Sequence, residues 1–407
     1  MRFVPDGPDI PNSLITKWRA GKVLFLAGAG VSVPSKLPLF DGLALKVYKA
    51  LKDPMYNIVK KASVASGGRR QKVLEAATLT PQKAVEANLF LDRQFDRFFS
   101  VLEKRFDPDL KGRPKTRNVR NAVQKLLSTK KHSQSHADLL RLSFAPSDQT
   151  GRPICRIVTT NFDLLFEAAW GLECGTPIMS CDARLAPRPG AHNFEGIIHL
   201  HGALSADPRR PTDFVLSSRD FARVYLRSGV IGNYIYDLIR RYTVVLIGYS
   251  ADDPPMRYLM DAIGEDATLF DDMNRPYAIT NLVDRNMRDV EEETWRSKEI
   301  EARLFELRTG DEPYAPLWDS IKEWAEWARR GSDWVHSKLA EATSVKYADA
   351  TPFQIALVQD LFSVLTDDER IGAAAYLNGL KVDFGWIAAV SAALDPHGAR
   401  PTTPVPS

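Results

Sequence analysis

The chain has 407 residues, of which 44% are hydrophobic and 26% are charged, as is typical of a globular protein with room for one large core or two domains. Its 54 basic and 51 acidic residues nearly cancel, so bulk charge does not imply a nucleic-acid partner. The first residues lack a charged and then apolar leader, and no apolar run approaches the ~20 residues that span a bilayer, so we expect a cytoplasmic protein with no membrane contact.

The cysteine pattern gives no indication of metal binding. Cys155, Cys174 and Cys181 form no CxxC pair and are too few for a four-thiolate zinc site. We therefore expect three small buried hydrophobic residues and no metal.

The first strand and the turn after it begin the sheet. Residues 10–20 predict a short covering helix, and the apolar run Val23–Ala27 predicts a buried strand. The turn Gly28-Ala29-Gly30-Val31-Ser32 follows, and its glycines allow backbone N–H groups to approach a phosphate closely. The same turn is also common where two backbones pack tightly and no ligand binds. Because Pro34 and Pro38 prevent a long helix from starting at once, the turn is not a good dinucleotide fingerprint.

Residues 42–150 predict a large, mainly helical insertion, with no strand before Ile154. Within it, residues 104–131 are strongly basic. Such a run is more often a solvated helical face than a surface for nucleic acid or an acidic partner, and both interpretations stay open.

The rest of the sequence alternates apolar strands with helices, which predicts an α/β fold with a doubly wound, mostly parallel, Rossmann-like sheet. The expected strands are residues 154–158, 196–200, 243–247, 276–282 and 302–308. After residue 330 the pattern becomes helical, with a capping box from Thr366 to Glu369. We expect residues 331–394 to form a small helical appendage that packs on the core or makes an oligomer contact, and residues 395–407 to be a disordered, proline-rich tail.

Four polar signatures share one position, since each follows an apolar strand. They are Gly28-Ala29-Gly30, Asn161-Phe162-Asp163, His201-Gly202 and Gly248-Tyr249-Ser250. The carboxyl ends of parallel strands lie along one edge of the sheet, where α/β folds bind their ligands. The sequence therefore predicts that four distant segments meet in one cleft.

The ordered motifs GAGVS, TTNFD, HLHG and GYS resemble the sirtuin family, and especially the bacterial sirtuin-like proteins associated with antiphage defence. The resemblance covers about residues 10–330 and implies an NAD-binding domain over residues 1–330. Two features depart from the protein-deacylating sirtuins: Asp41 stands where those enzymes have an arginine after the first loop, and their four zinc cysteines are missing. Both departures disfavour a deacylase and fit the sirtuin-like domains that hydrolyse NAD.

The resemblance also implies roles for single residues. Asn161 would lie beside the ribose and the attacking water, and Asp163 would orient the nicotinamide amide or the network around Asn161. His201 would be the general base, since imidazole titrates near neutral pH, whereas the more interior His199 would be structural. Without the other motifs, Asn161 and Asp163 would read as a helix N-cap and His201 as a satisfied polar group.

The remaining NAD contacts implied by the resemblance concern the pyrophosphate, the nicotinamide side and the adenosine end. Ala29, Gly30 and Ser32 would contact the pyrophosphate through backbone N–H groups and a hydroxyl. The other positions are Gly28 for the turn, Phe40 for the nicotinamide wall, Thr160 in the cofactor site, Gly248 and Ser250 for the adenine ribose, and Asn281 for the adenosine end.

The resemblance thus implies an NAD glycohydrolase that depletes NAD when it is triggered. Such an activity needs control, so we expect a homo-oligomer or a regulatory partner. Relatives pair with a HerA-type ATPase or an Argonaute-type protein, and this chain has no phosphate-binding GxxxxGK[ST] loop of its own. The alternative is a non-catalytic module that senses NAD or ADP-ribose.

Overall fold

The computed structural model describes residues 1–65, 68–110, 113–114, 117–128, 131–146, 153–205, 214–251, 254–269 and 274–394. The expected tail at residues 395–407 lies outside these ranges, as does part of the basic stretch. The strands are β1 (Val23–Ala27), β2 (Asp109–Leu110), β3 (Arg113–Pro114), β4 (Phe144–Pro146), β5 (Pro153–Thr159), β6 (Ser180–Asp182), β7 (Gly196–His199), β8 (Thr243–Ile247), β9 (Tyr277–Leu282) and β10 (Glu301–Glu306).

The helices cover most of the remaining described chain. They are α1 (Asn12–Arg19), α2 (Phe40–Ala50), α3 (Met55–Ser63), α4 (Gly68–Ala76), α5 (Pro81–Leu91), α6 (Phe95–Phe106), α7 (Asn118–Leu127), α8 (Gln134–Leu142), α9 (Leu165–Cys174), α10 (Ser218–Phe221), α11 (Val230–Arg241), α12 (Pro254–Leu269), α13 (Arg288–Arg296), α14 (Ala315–Arg330), α15 (Ser332–Ala342), α16 (Pro352–Val364), α17 (Asp367–Leu380) and α18 (Phe384–Leu394). None of the described helices is long and apolar enough to cross a bilayer.

An eight-stranded sheet forms the centre of the fold, with strand order β10-β9-β8-β1-β5-β7-β6. All neighbours on this path are parallel, and β4 adds an antiparallel pairing to the start of β5. The predicted Rossmann-like α/β fold is confirmed. β1 and β8 are buried on both faces, which explains their continuous apolar sequences.

The register of the sheet places the strand ends level with one another. Ala27 at the end of β1 is opposite both Thr159 of β5 and Ile247 of β8, and Thr159 is opposite His199 of β7. The polar segments that follow these strands therefore begin at the same edge, as the motif positions predict.

Two expectations about strands and cysteines are wrong. We expected no strand before Ile154, but β4 pairs with β5 and the two-residue strands β2 and β3 pair with each other. These strands, like β6, are too short to leave an apolar run in the sequence. Cys155 is buried as expected, whereas Cys174 is exposed at the end of α9.

The helices enclose the sheet in three hydrophobic clusters. One face packs against α1, α8, α9 and α14, and the other packs against α11 and α12. Helices α2, α3, α5, α6 and α7 of the insertion form a third cluster, which reaches the sheet edge through Phe162 and Phe214. Inside the insertion, the guanidinium of Arg105 pairs with the buried carboxylates of Glu86 and Asp53.

The C-terminal helices α15 to α18 pack on the same cluster as the first sheet face. Trp334, Phe362 and Trp386 are buried with Phe25 of β1. The expected capping box at Thr366 is present. Phe384, however, is 80% exposed, so part of the apolar surface predicted for this segment faces solvent. The division of the chain at residue 330 stays a prediction.

Candidate functional site

A cleft of about 980 Å³ opens at the carboxyl edge of the sheet. All the predicted site residues except Gly28 line it: Ala29, Gly30, Ser32, Phe40, Thr160, Asn161, Asp163, His201, Gly248, Ser250 and Asn281. Its volume lies in the range of cofactor and small-molecule sites. Segments that are more than 200 residues apart in the sequence thus meet in one place.

The glycine turn after β1 packs directly on the turn after β8. The N–H groups of Gly28 and Gly30 donate to the carbonyls of Ile247 and Gly248, both over 2.9 Å. A Cβ on Gly30 would lie 2.7 Å from Cα of Gly248, and Gly248 itself has a φ of +63°. These glycines therefore serve close backbone packing, the alternative left open by the sequence. The Gly30 amide, which we expected to face the pyrophosphate, is occupied by this packing.

The side-chain amide of Asn161 is held in one orientation. Its Nδ2 donates to the carbonyl of Gly28 and to Oγ of Ser32, both over 3.1 Å. Its backbone N–H donates to Oγ1 of Thr159 over 3.0 Å. Since both Nδ2 protons are used, Oδ1 is the free acceptor of this amide, and no hydrogen bond among the described residues occupies it. Asn161 therefore presents an oriented acceptor to the cleft.

Ser32 lies beneath Asn161 and uses its whole hydrogen-bonding capacity. Its hydroxyl donates to Oδ2 of Asp163 over 3.0 Å and accepts from Asn161. Nε2 of His136 lies 3.3 Å from the same oxygen. Ser32 is 2% exposed, and the hydroxyl that we expected to face the pyrophosphate is instead bonded inside this network.

The tautomer of His136 follows from its neighbours. The backbone N–H of Ser133 donates to Nδ1 of His136, so the neutral ring has its proton on Nε2 and donates to Ser32. Burial, with a smaller contribution from His132, lowers the pKa of His136 to about 4. None of the sequence motifs indicates His136, although Ser133 three residues before it is the start of a capping box.

Asp163 combines a local and a long-range contact. Its Oδ1 accepts the N–H of Leu165 over 3.2 Å at the start of α9, as the N-cap interpretation predicts in part. Its other oxygen accepts from Ser32. Burial raises the pKa of Asp163, against the opposing effect of the Ser32 and Leu165 hydrogen bonds.

The two histidines of the HLHG motif have different surroundings. His201 lines the cleft, and its Nε2 lies 2.8 Å from the hydroxyl of Tyr225, which belongs to a π-helical turn over residues 222–227. His199 is fully buried, with Nδ1 2.8 Å from the carbonyl oxygen of Asn161 and Nε2 2.9 Å from Oε1 of Glu167. Burial lowers the pKa of His199, but its hydrogen bonds and charge interaction with Glu167 outweigh burial and raise the pKa overall.

Two further predicted residues line the cleft, and other walls come from elements that the motifs did not indicate. Phe40 packs edge-on against Phe95 and Phe99 of α6, and the backbone N–H of Thr160 donates to the Ala27 carbonyl over 3.0 Å. The sequence motifs do not indicate the following lining residues, which come from the insertion, from the segment before α14 and from α14 itself: Arg93, Ser133, Gln134, Ser135, Asp138, Asp311, Glu312 and Asp319.

Comparison with known proteins supports the sirtuin-like resemblance. Residues 156–302 match the family model described as SIR2-like domain. Over 327 residues the chain is 32% identical to a protein of Sinorhizobium fredii named Uncharacterized protein y4cA, which covers 79% of this chain and 24% of that protein. The chain therefore spans about a quarter of the length of this relative. The segment that matches the SIR2-like model contains Asn161, His201 and Gly248.

Proposed function

We propose that the cleft binds NAD and hydrolyses the bond between nicotinamide and ribose. The observation that supports this most directly is the fixed amide of Asn161, whose Oδ1 is an unused acceptor at the level of the strand ends. In the reaction, C1′–N1 breaks and its electron pair returns to the nicotinamide ring. Water forms the new C1′–O bond, and one proton is released.

Asn161 and His201 have complementary roles in this proposal. The transition state of such a cleavage resembles an oxocarbenium ion, so catalysis depends on orienting the water and the ribose. Oδ1 of Asn161 accepts a hydrogen bond from the water or from a ribose hydroxyl. His201 accepts the released proton or a ribose hydroxyl proton, since it lines the same cleft and imidazole titrates near neutral pH. Asp163 supports Asn161 through Ser32.

The contacts for the rest of NAD belong to the same proposal. Ala29 and Gly30 line the cleft at the strand ends, where the pyrophosphate would cross, although the Gly30 amide itself is engaged by Gly248. Thr160 lines the same cofactor site, and Phe40 would wall the nicotinamide side. Gly248, Ser250 and Asn281 would meet the adenosine end. No metal is required by this scheme.

In the cell, we propose that this activity depletes NAD as part of a bacterial antiphage defence system. A hydrolase of this kind must be silent until it is triggered. His201 is only 4% exposed and its Nε2 is engaged by Tyr225, which fits a resting state that needs a change at the site. Assembly of several copies, or a HerA-type or Argonaute-type partner, would supply that change.

The same engagement of His201 favours one alternative, a module that binds NAD or ADP-ribose and controls a partner without turnover. This alternative, however, gives the oriented acceptor of Asn161 no role. Protein deacylation is disfavoured because Asp41 lines the cleft where deacylases have an arginine, and because the zinc cysteines are missing.

The test is product analysis with NAD, using the chain alone and with the product of the neighbouring gene. Wild-type protein should release nicotinamide and ADP-ribose in equal amounts, and Asn161→Ala and His201→Ala should each reduce turnover by about 10²-fold or more with NAD binding retained. Binding without turnover in both settings would favour the sensor. Consumption of an acyl-lysine peptide would favour the deacylase.

A further inference from the structure

The ring of His199 faces a hydrogen-bond acceptor on each side. Nδ1 is 2.8 Å from the carbonyl oxygen of Asn161, which can only accept, and Nε2 is 2.9 Å from Oε1 of Glu167. A neutral imidazole has one N–H and can donate to only one of them, whereas an imidazolium donates to both. His199 has no exposure to water that could replace either partner.

Glu167 is arranged as an ionised carboxylate. Its Oε1 also accepts the hydroxyl of Ser180 over 2.5 Å, so this oxygen receives two donors. Burial raises the pKa of Glu167, but the hydrogen bond and charge of His199 outweigh it and hold that pKa below its usual value. Its Oε2 is buried and has no partner among the described residues, so His199 is the main compensation for the charge.

We infer that His199, as an imidazolium paired with Glu167, is a positioning residue that fixes the backbone of Asn161 for NAD cleavage. This inference rests on the proposed function. Ser32 and the Gly28 carbonyl hold the side chain of Asn161, and His199 holds its carbonyl from the opposite direction. A neutral His199 can donate to only one of its two partners, and the ionised Glu167 carboxylate is the stronger acceptor. Loss of the His199 proton therefore removes the donor to the Asn161 carbonyl, and the acceptor in the cleft loses its fixed position.

The surrounding charges determine the pH at which His199 loses its second ring proton. Glu167 comes from α9 and Asp163 from the segment after β5, and both favour the charged ring. Asp182 of β6 is opposite His199 in the sheet register, and its carboxylate is paired with Arg184. Turnover should therefore fall on the alkaline side as the ring loses its proton.

The first test compares the pH profile of kcat for wild-type protein and Glu167→Gln. Glutamine can still accept the Nε2–H bond but lacks the charge, so the alkaline limb should move to lower pH by about one unit or more, which is a tenfold change in the ring's proton affinity. NAD affinity at low pH should change less than about threefold, because Asn161 is still held there. Glu86→Gln is the control, since this buried carboxylate pairs with Arg105 away from the cleft and should leave the limb in place.

The second test reads the ring directly by ¹⁵N NMR of wild-type protein at pH 7, with the signal assigned by its loss in His199→Gln. Protons on both ring nitrogens are expected, and a proton on only one would overturn the inference even if Glu167→Gln does not fold. An unmoved alkaline limb in folded Glu167→Gln would also overturn it. If the ring is doubly protonated but the protein releases no nicotinamide, the proposed function is wrong. The positioning role is then wrong as well, because it depends on that function.

Discussion

At the scale of single residues, Ser32 is the junction of the candidate site. Its hydroxyl connects Asn161 of the segment after β5 with Asp163 and with His136 of α8. One oxygen thus holds three buried polar groups, each of which would be costly to leave without a partner. This arrangement explains why a serine from the glycine turn is buried rather than presented to a ligand.

Replacing Ser32 with alanine should lower both stability and turnover. We expect a loss of about 1–3 kcal/mol in the free energy of unfolding, because the buried partners of the hydroxyl lose a hydrogen bond. Turnover should fall by roughly tenfold or more, since Nδ2 of Asn161 loses one of its two acceptors. Urea unfolding and nicotinamide release measure the two effects.

Ser35 gives a matched control, because it lies with Ser32 in one 3₁₀-helical segment, Ala29–Ser35. Its Oγ is buried but has no hydrogen-bond partner among the described residues. Ser35→Ala breaks no hydrogen bond, so it should leave the free energy of unfolding unchanged or raise it. Equal effects of the two substitutions would contradict the role of the Ser32 network.

The buried, neutral His136 predicts a pH dependence of stability. Its pKa is about 4 in the folded chain against 6.5 as its ordinary value. Between pH ~6.5 and pH ~4 this histidine is protonated in the unfolded chain but stays neutral in the folded chain. The free energy of unfolding therefore falls progressively as the pH is lowered through that range, by up to roughly 3 kcal/mol. Above that range its effect is constant.

This contribution is measured as a difference between wild-type protein and His136→Gln. Urea midpoints between pH 7 and pH 4.5 should fall more steeply for wild-type protein than for the variant. Parallel curves would show that His136 does not stay neutral in the fold.

At the scale of elements, the site depends on the contact between the turns after β1 and β8. Gly248 has a φ of +63°, and a Cβ there would lie 2.7 Å from the backbone nitrogen of Val31. Gly175, the C-cap of α9, has the same φ of +63° but has nothing within 4 Å of its Cβ position. An alanine at Gly175 therefore introduces backbone strain alone, whereas an alanine at Gly248 introduces the same strain together with a steric clash.

Gly175→Ala should cost about 1 kcal/mol, the usual penalty for an L-residue in the left-handed region. Gly248→Ala should cost roughly 1–3 kcal/mol more, because the new methyl group must push the Val31 turn away. It should also weaken NAD binding, which Gly175→Ala should not. Thermal unfolding and calorimetric titration with NAD provide the comparison, and equal stability losses would contradict the packing account.

These elements also show how far sequence reasoning reaches. Long apolar strands such as β1 and β8 were predicted with their bounds, and the level strand ends follow from parallel pairing. The three-residue strands β4 and β6 leave too little pattern to read. The orientation of the Gly30 amide and the approach of His136 from α8 depend on tertiary packing between distant segments, which no local pattern contains.

At the scale of the whole molecule, the C-terminal helices share a hydrophobic cluster with the sheet. Trp386 of α18 is fully buried, and its Nε1 donates to the Val345 carbonyl over 3.0 Å. The cluster joins it to Trp324 of α14 and Phe25 of β1. We therefore expect these helices to unfold together with the sheet.

Trp386→Ala should lower the free energy of unfolding by about 3–5 kcal/mol and keep a single transition. Phe384, on the same helix but 80% exposed, is the matched control, and its replacement by alanine should cost less than about 0.5 kcal/mol. A separate early transition in Trp386→Ala would show instead that residues 331–394 unfold independently.

The measurement that tests the central claim most directly is nicotinamide release from saturating NAD by wild-type protein and by Asn161→Ala, with NAD binding measured on the same samples. We predict steady release by wild-type protein, in its active assembly, and a loss of about 10²-fold or more in the variant at equal NAD occupancy. Undiminished release by Asn161→Ala, or no release by wild-type protein that binds NAD alone and with its partner, would contradict the account.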